Sequence, residues 1–123
     1  MFLKAKGLAL GEPTEIQLEK LDANNYVDRA KALLKNYSEV IATPVDIAVD
    51  LDGKRKEYAT VDMPVNYPIL DIGMKTISNY CQLIANAEVV FAKGSPGNFE
   101  KREFSHSTRE LFTALVNSKA FTA

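Results

Sequence analysis

The residues most able to do chemistry lie in one segment, Lys93-Gly94-Ser95-Pro96-Gly97-Asn98-Phe99-Glu100. Its glycines permit close backbone approach and positive φ. Lys93 is a point charge that attracts phosphate, and the Glu100 carboxylate can accept hydrogen bonds from two hydroxyls. No Gly-Lys-Ser/Thr ending follows, so the segment is not a Walker A loop. On spacing alone, Glu100 reads as a solvated glutamate beside Lys101 and Arg102, and Gly94 and Gly97 read as a turn around Pro96.

The remaining candidates point to structure. His106 is the only histidine and reads as a solvated residue near a helix start. Cys81, the only cysteine, sits on an apolar stripe and reads as core. Asp46, Asp50 and Asp52 fall on one strand face, expected to point outward, but no later glutamate completes a calcium loop. Lys54-Arg55-Lys56 reads as a solvated turn.

These residues need elements to hold them. Phe2 to Lys6 reads as a helix end stopped by Gly7, and Leu8 to Thr14 as a loop with turn formers Gly11 and Pro13. Tyr26, Ala30, Leu33, Leu34 and Tyr37 repeat at helical spacing, which predicts a helix over 25–36; Leu18 and Leu21 fit a shorter helix before it. Val40 to Thr43 reads as a short buried strand. Val45, Ile47, Val49 and Leu51 alternate with polar residues, predicting a strand with one wet face. Asp52-Gly53 predicts a hairpin turn with a return strand over 56–61. Ile77, Tyr80, Cys81, Ile84 and Ala85 mark another helix. Glu88 to Ala92 reads as a compact buried strand. A last helix carries Leu111, Phe112, Leu115 and Val116, opened by a capping box at Ser107-Thr108-Arg109-Glu110.

This order predicts an α/β class: Rossmann-like layers, a mostly parallel sheet with flanking helices and one β-hairpin. Ligands in such sheets sit beyond the carboxyl ends of strands. Two loops meet that condition, Leu70 to Gly73 and Lys93 to Asn98.

The 123 residues carry a formal charge of −1, with 46% hydrophobic and 25% charged residues. The balance fits one soluble domain and argues against a nucleic-acid partner, which needs a basic excess. No apolar run approaches the ~20 residues of a membrane span. One cysteine excludes a disulfide framework, and the first residues show no secretion signal. A cytoplasmic location is the expectation.

Three motifs in order then carry a resemblance. Leu70-Asp71-Ile72-Gly73-Met74-Lys75-Thr76 resembles the L-D-I-G-P-K-T stretch of phosphoglycerate kinases. Lys93 to Glu100 resembles that family's N-G-P-x-G-V-F-E, and Phe104-Ser105-His106-Ser107-Thr108 its F-a-x-G-T helix entry. Phe2 to Gly7 and Pro44 to Val49 are similar to further family segments, so the resemblance covers the whole chain. The short hairpin and Tyr67-Pro68-Ile69 look most like the archaeal branch.

The resemblance implies part of the C-terminal, nucleotide-binding domain, an incomplete domain that starts after a lysine-bearing segment and stops before a glycine loop. It implies ATP-dependent phosphorylation of 3-phosphoglycerate and the reverse, in glycolysis, with Mg-ATP or Mg-ADP held here and 3-phosphoglycerate held by a missing N-terminal domain. The metal ligand is expected outside this chain. By the same resemblance Glu100 takes the ribose hydroxyls, Gly94 and Gly97 let the backbone approach the nucleotide, and Leu70 lies near the adenine or is plain core. Lys93 and Asn98 occupy nucleotide-contact positions but depart from the family's asparagine and apolar residue. Ser95 and Ser107 also depart. Asn98 puts an amide where an apolar purine wall is expected, at some desolvation cost. Family catalysis rests on positioning and charge stabilisation, so His106 needs no role as a base. The alternative is a non-catalytic remnant or interaction module that keeps the fold. Uncovered sheet edges are expected to promote self-association.

Overall fold

Glycines and a proline mark several of the helix boundaries. In the computed structural model, which describes residues 1–123, α1 (Phe2–Ala5) ends against Gly7, whose φ of +89° lies in the left-handed region. α2 (Glu12–Lys20) starts inside the segment expected to be loop. Pro13 stands in its first turn, where a missing N–H costs no helical hydrogen bond. Gly11 is obligatory there, since a Cβ would stand 2.0 Å from the Val65 carbonyl oxygen. α3 (Val27–Tyr37) follows a 3₁₀ turn over Ala23–Tyr26. It buries Val27 and Ala30 and lies against α1.

The run expected as a strand at Val40 to Thr43 is irregular, and Val40 is 79% exposed. The amides of Val40 and Ile41 both turn back to the Tyr37 carbonyl, closing the end of α3, and are thereby lost to any ladder.

β1 (Asp46–Leu51) and β2 (Lys54–Ala59) form the expected hairpin, with Gly53 at φ +84°. β3 (Ile69–Ile72) pairs on the other side of β1, giving the order β2-β1-β3. Both pairings are antiparallel. The only parallel pairing joins β4 (Val89–Val90) to β5 (Phe121–Thr122), in a separate two-stranded sheet. The α/β class therefore stands, while the sheet directions differ from the mostly parallel expectation. A hairpin turn at Asp52-Gly53 forces β2 to run against β1, and the segment over 60–68 then crosses β1 and starts β3 in the same direction as β2, so β3 too lies antiparallel to β1.

β1 is covered on both faces. Ile47 and Val49 pack with Val65 and the flanking Leu3, Tyr58 and Met63, while Ala48 is fully buried on the opposite face. The expected wet face is thus absent. α4 (Met74–Ala85) packs on β1 and α5 (His106–Asn117) on α4. The buried strand expected over 88–92 shrinks to β4, where Val89 is 67% exposed. Cys81 is half-buried rather than core.

Candidate nucleotide site

The site is organised by carboxylates rather than by helix dipoles. Gly73 precedes α4 and has no side chain to cap it, yet the first amides of α4 are all engaged. Met74 N–H donates to Glu57 Oε2 at 3.1 Å, Lys75 N–H to Asp46 Oδ2 at 2.9 Å, and Thr76 N–H to Asp46 Oδ1 at 2.8 Å. The Thr76 hydroxyl donates to Asp46 as well, and the Val45 amide donates to that hydroxyl at 3.0 Å. A Cβ on Gly73 would fall 2.2 Å from the Asp46 carboxyl carbon. Negative groups at a helix N-terminus are stabilising, and here the protein supplies its own. Asp46 and Asp50 are therefore not outward and solvated. Asp50 accepts from Lys101 Nζ at 2.7 Å and from the Gly53 amide at 2.7 Å.

Asp71 is the second centre. It lies on β3 with its side chain fully buried. Its Oδ2 accepts from Arg55 Nη1 at 2.8 Å and from the Ser107 amide at 3.2 Å. Its Oδ1 accepts from the Ile72 amide at 2.8 Å and from the Ser107 hydroxyl. Ser107 is accordingly buried within α5 and is no capping-box residue, and Ser105 occupies the N-cap position. Arg55, expected in a solvated turn, is 10% exposed and also donates to Glu57 Oε1 and to the carbonyls of Ile72 and Glu103.

Against this centre lies the loop over 93–104. Gly97 touches the Asp71 carboxylate so closely that a Cβ would stand 2.4 Å from Oδ1 and 2.6 Å from the Phe104 carbonyl oxygen. The Asn98 amide donates to the Leu70 carbonyl at 2.8 Å. Leu70, Gly97 and Asn98 thereby line one cavity of about 620 Å³, with Phe2, Lys20 and Pro96 among the other walls. That volume is within the usual range for small-ligand sites, and the mostly apolar lining suits a planar base better than a metal ion. No group of three His, Cys, Asp or Glu side chains converges as a metal site would require.

Not all expected site residues meet. Lys93 and Gly94 line a second cavity of about 480 Å³ on the other side of Pro96, among Tyr80, Phe91 and Phe112. Gly94 has φ +78° with open space around it. Glu100 is exposed and lines neither cavity. Asp46, Arg55, Asp71, Thr76 and Ser107 build the frame of the site, a role that their spacing in the sequence does not reveal. One signal was present: Asp71 interrupts the apolar run Ile69-Leu70-Asp71-Ile72, and a carboxylate within a buried strand requires a partner.

Known proteins agree with this architecture. The family model described as phosphoglycerate kinase matches residues 1–123. Phosphoglycerate kinase of Methanothermus fervidus is 39% identical over 122 residues, covering 99% of this chain and 30% of the relative. That of Pyrococcus furiosus is 36% identical over 126 residues, covering 99% of this chain and 31% of the relative. The crystal structure of phosphoglycerate kinase from Pyrococcus horikoshii OT3 superposes with a TM-score of 0.90 at 35% identity, covering 98% of this chain and 31% of that one. The Coxiella burnetii enzyme gives 0.82 at 29% identity, over 98% and 31% of the two chains. The chain spans about 30% of the length of the curated relatives it matches. A match along the whole chain, with identity above a third to archaeal relatives, places this protein in the phosphoglycerate kinase family.

Proposed function

We propose that this chain forms part of the C-terminal, nucleotide-binding domain of a phosphoglycerate kinase and contributes part of its ATP/ADP site. The reaction served is reversible phosphoryl transfer between ATP and 3-phosphoglycerate, a glycolytic step in the cytoplasm. The observation that carries the reading is the convergence of Leu70, from β3 where a loop was expected, with Gly97 and Asn98, from the loop over 93–104, on one cavity of about 620 Å³. Leu70 would face the adenine, and the Gly97–Asn98 backbone would lie against the purine. Glu100 follows on the same loop, exposed, so its carboxylate is free to accept the ribose hydroxyls. Lys93 and Gly94 line the second cavity, on the far side of Pro96, where the Lys93 ammonium would supply a positive charge to a phosphate. Magnesium bound with ATP would offset charge on the transferring phosphate; its ligands, like the groups that would hold 3-phosphoglycerate, are expected from the rest of the enzyme.

No helix here is long and apolar enough to cross a membrane.

The test is calorimetric titration of ADP into the chain joined to the remaining segments of an archaeal relative. Glu100→Ala removes charge-assisted hydrogen bonds each worth about 1.5–3 kcal/mol, so ADP affinity falls about tenfold or more. Asn98→Val restores an apolar wall and strengthens binding, and His106→Ala changes nothing. Unchanged affinity in Glu100→Ala sinks the ribose assignment. The chain is then better read as a remnant that kept the fold and lost the site.

A further inference from the structure

Asp71 lines the same cavity as Leu70, Gly97 and Asn98, and the contacts of its buried carboxylate converge on the loop that carries the last two. Burying a carboxylate is costly unless it is paired and hydrogen-bonded. Here the cost is met by one guanidinium from β2, one hydroxyl and one amide from α5, and the neighbouring amide on β3. An apolar pair of similar volume could fill such a space. What the carboxylate adds is an oxygen surface, held in plane by donors on three sides, against which only a glycine fits. Gly97 rests on that surface, and the next residue, Asn98, donates its amide to the Leu70 carbonyl directly before Asp71.

We propose that Asp71 is the positioning residue of the nucleotide loop: its carboxylate, neutralised by Arg55, sets Gly97 and Asn98 beside Leu70. The inference rests on the nucleotide reading only for what the loop binds. Three further observations support it. The hairpin also grips the far end of the loop, through Arg55 Nη1 to the Glu103 carbonyl at 3.3 Å and Lys101 Nζ to Asp50 at 2.7 Å. By contrast, residues 93–96 are exposed throughout, and none of their side chains has a hydrogen-bond partner. The loop therefore has an anchored half, which begins where it meets Asp71, and a free half before it. The Ser107 bond to the same carboxylate ties the start of α5 to that anchor.

The experiment is amide hydrogen exchange, residue by residue, on the 123-residue chain and on Asp71→Asn and Gly97→Ala. Asp71→Asn keeps the volume and removes the charge. Gly97→Ala leaves the charge network in place and drives the loop off it. In both, the Asn98 amide exchanges at least tenfold faster, while the Ile77 amide, bonded to Gly73 within α4, keeps its protection. A purely structural role for Asp71 would release both amides together, and that result overturns the proposal. Unchanged Asn98 protection in a folded Asp71→Asn chain overturns it as well. If Asp71→Asn does not fold, Gly97→Ala decides on the same two amides. A parallel ADP titration by chemical shift, on the chain joined to the remaining segments of an archaeal relative, separates the readings. Shifts at Leu70 and Asn98 that weaken about tenfold in either variant support both. No shift in the parent chain counts against the nucleotide reading, while the exchange arm still decides the role of Asp71.

Discussion

Replacing Arg55 by alanine is the sharpest test of what holds the sheet to the loop. The Arg55–Asp71 pair is 2.8 Å long with side chains 10% and 0% exposed. Removing the cation leaves Asp71 buried without its counter-charge, a change that costs about 3–5 kcal/mol in other buried pairs. The Ile72 amide, the Ser107 amide and the Ser107 hydroxyl still donate to Asp71, which places the expected loss near the lower end, about 3 kcal/mol. Arg55 also vacates Glu57 and two carbonyls, so the loss does not fall much below that. Against a total stability of about 5–15 kcal/mol for a domain, this is a large share. With a urea slope of about 1–3 kcal/mol per molar, the midpoint drops by about 1–3 M. The internal control is Lys31→Ala, which breaks the Lys31–Asp28 pair, where the side chains are 55% and 94% exposed. Exposed pairs contribute about 0–1 kcal/mol. A double-mutant cycle with Asp71→Asn should return a coupling of about 0.5–3 kcal/mol. If Arg55→Ala shifts the midpoint no more than Lys31→Ala does at the same slope, the argument from burial is refuted.

Other outcomes follow from the same geometry. Lys101 donating to Asp50, helped by the Gly53 amide, holds the Asp50 carboxyl below the usual aspartate range. A depressed folded pKa gives stability that is complete above the unfolded value of about 3.9 and lost as pH falls below it through the folded value. Carbon-detected NMR titration should therefore find the Asp50 midpoint displaced downward, and Lys101→Met should raise it part of the way back, the Gly53 amide remaining; an ordinary midpoint in the parent chain contradicts the ion pair. The 123-residue chain alone should give no phosphoglycerate kinase turnover in a coupled assay, because stabilising the transition-state charge requires groups on both substrates' sites together; turnover well above background refutes this. Val89, Phe91 and Phe121 are 67%, 77% and 71% exposed beside the open edges of β4 and β5, an arrangement that favours association. Sedimentation should show concentration-dependent oligomers that Phe91→Ser reduces, and a monomer at every concentration would count against it.

Local chemistry was legible from the chain itself wherever a few neighbouring residues settle the outcome. Asp52-Gly53 turns the hairpin because glycine takes φ +84° without a Cβ clash, and Gly7 ends α1 for the same reason. Helical spacing located α3, α4 and α5, since a 3.6-residue period needs no distant partner. The three motifs that announce the family are also local, and they remain legible whatever surrounds them. Long-range pairing decided the rest. Strand direction depended on which edges met, so β3 ran antiparallel to β1. Asp46 and Asp50 share a polar face by alternation, but only packing shows that the face meets α4 and Lys101 instead of water. Arg55 looked solvated among lysines because nothing in its neighbourhood mentions Asp71, which lies across β1 on another strand. Ser107 followed the pattern of a cap and became a buried donor, because a carboxylate from β3 claims both its hydroxyl and its amide. A charge buried in a fold takes its meaning from its partner, and that partner is chosen by tertiary structure.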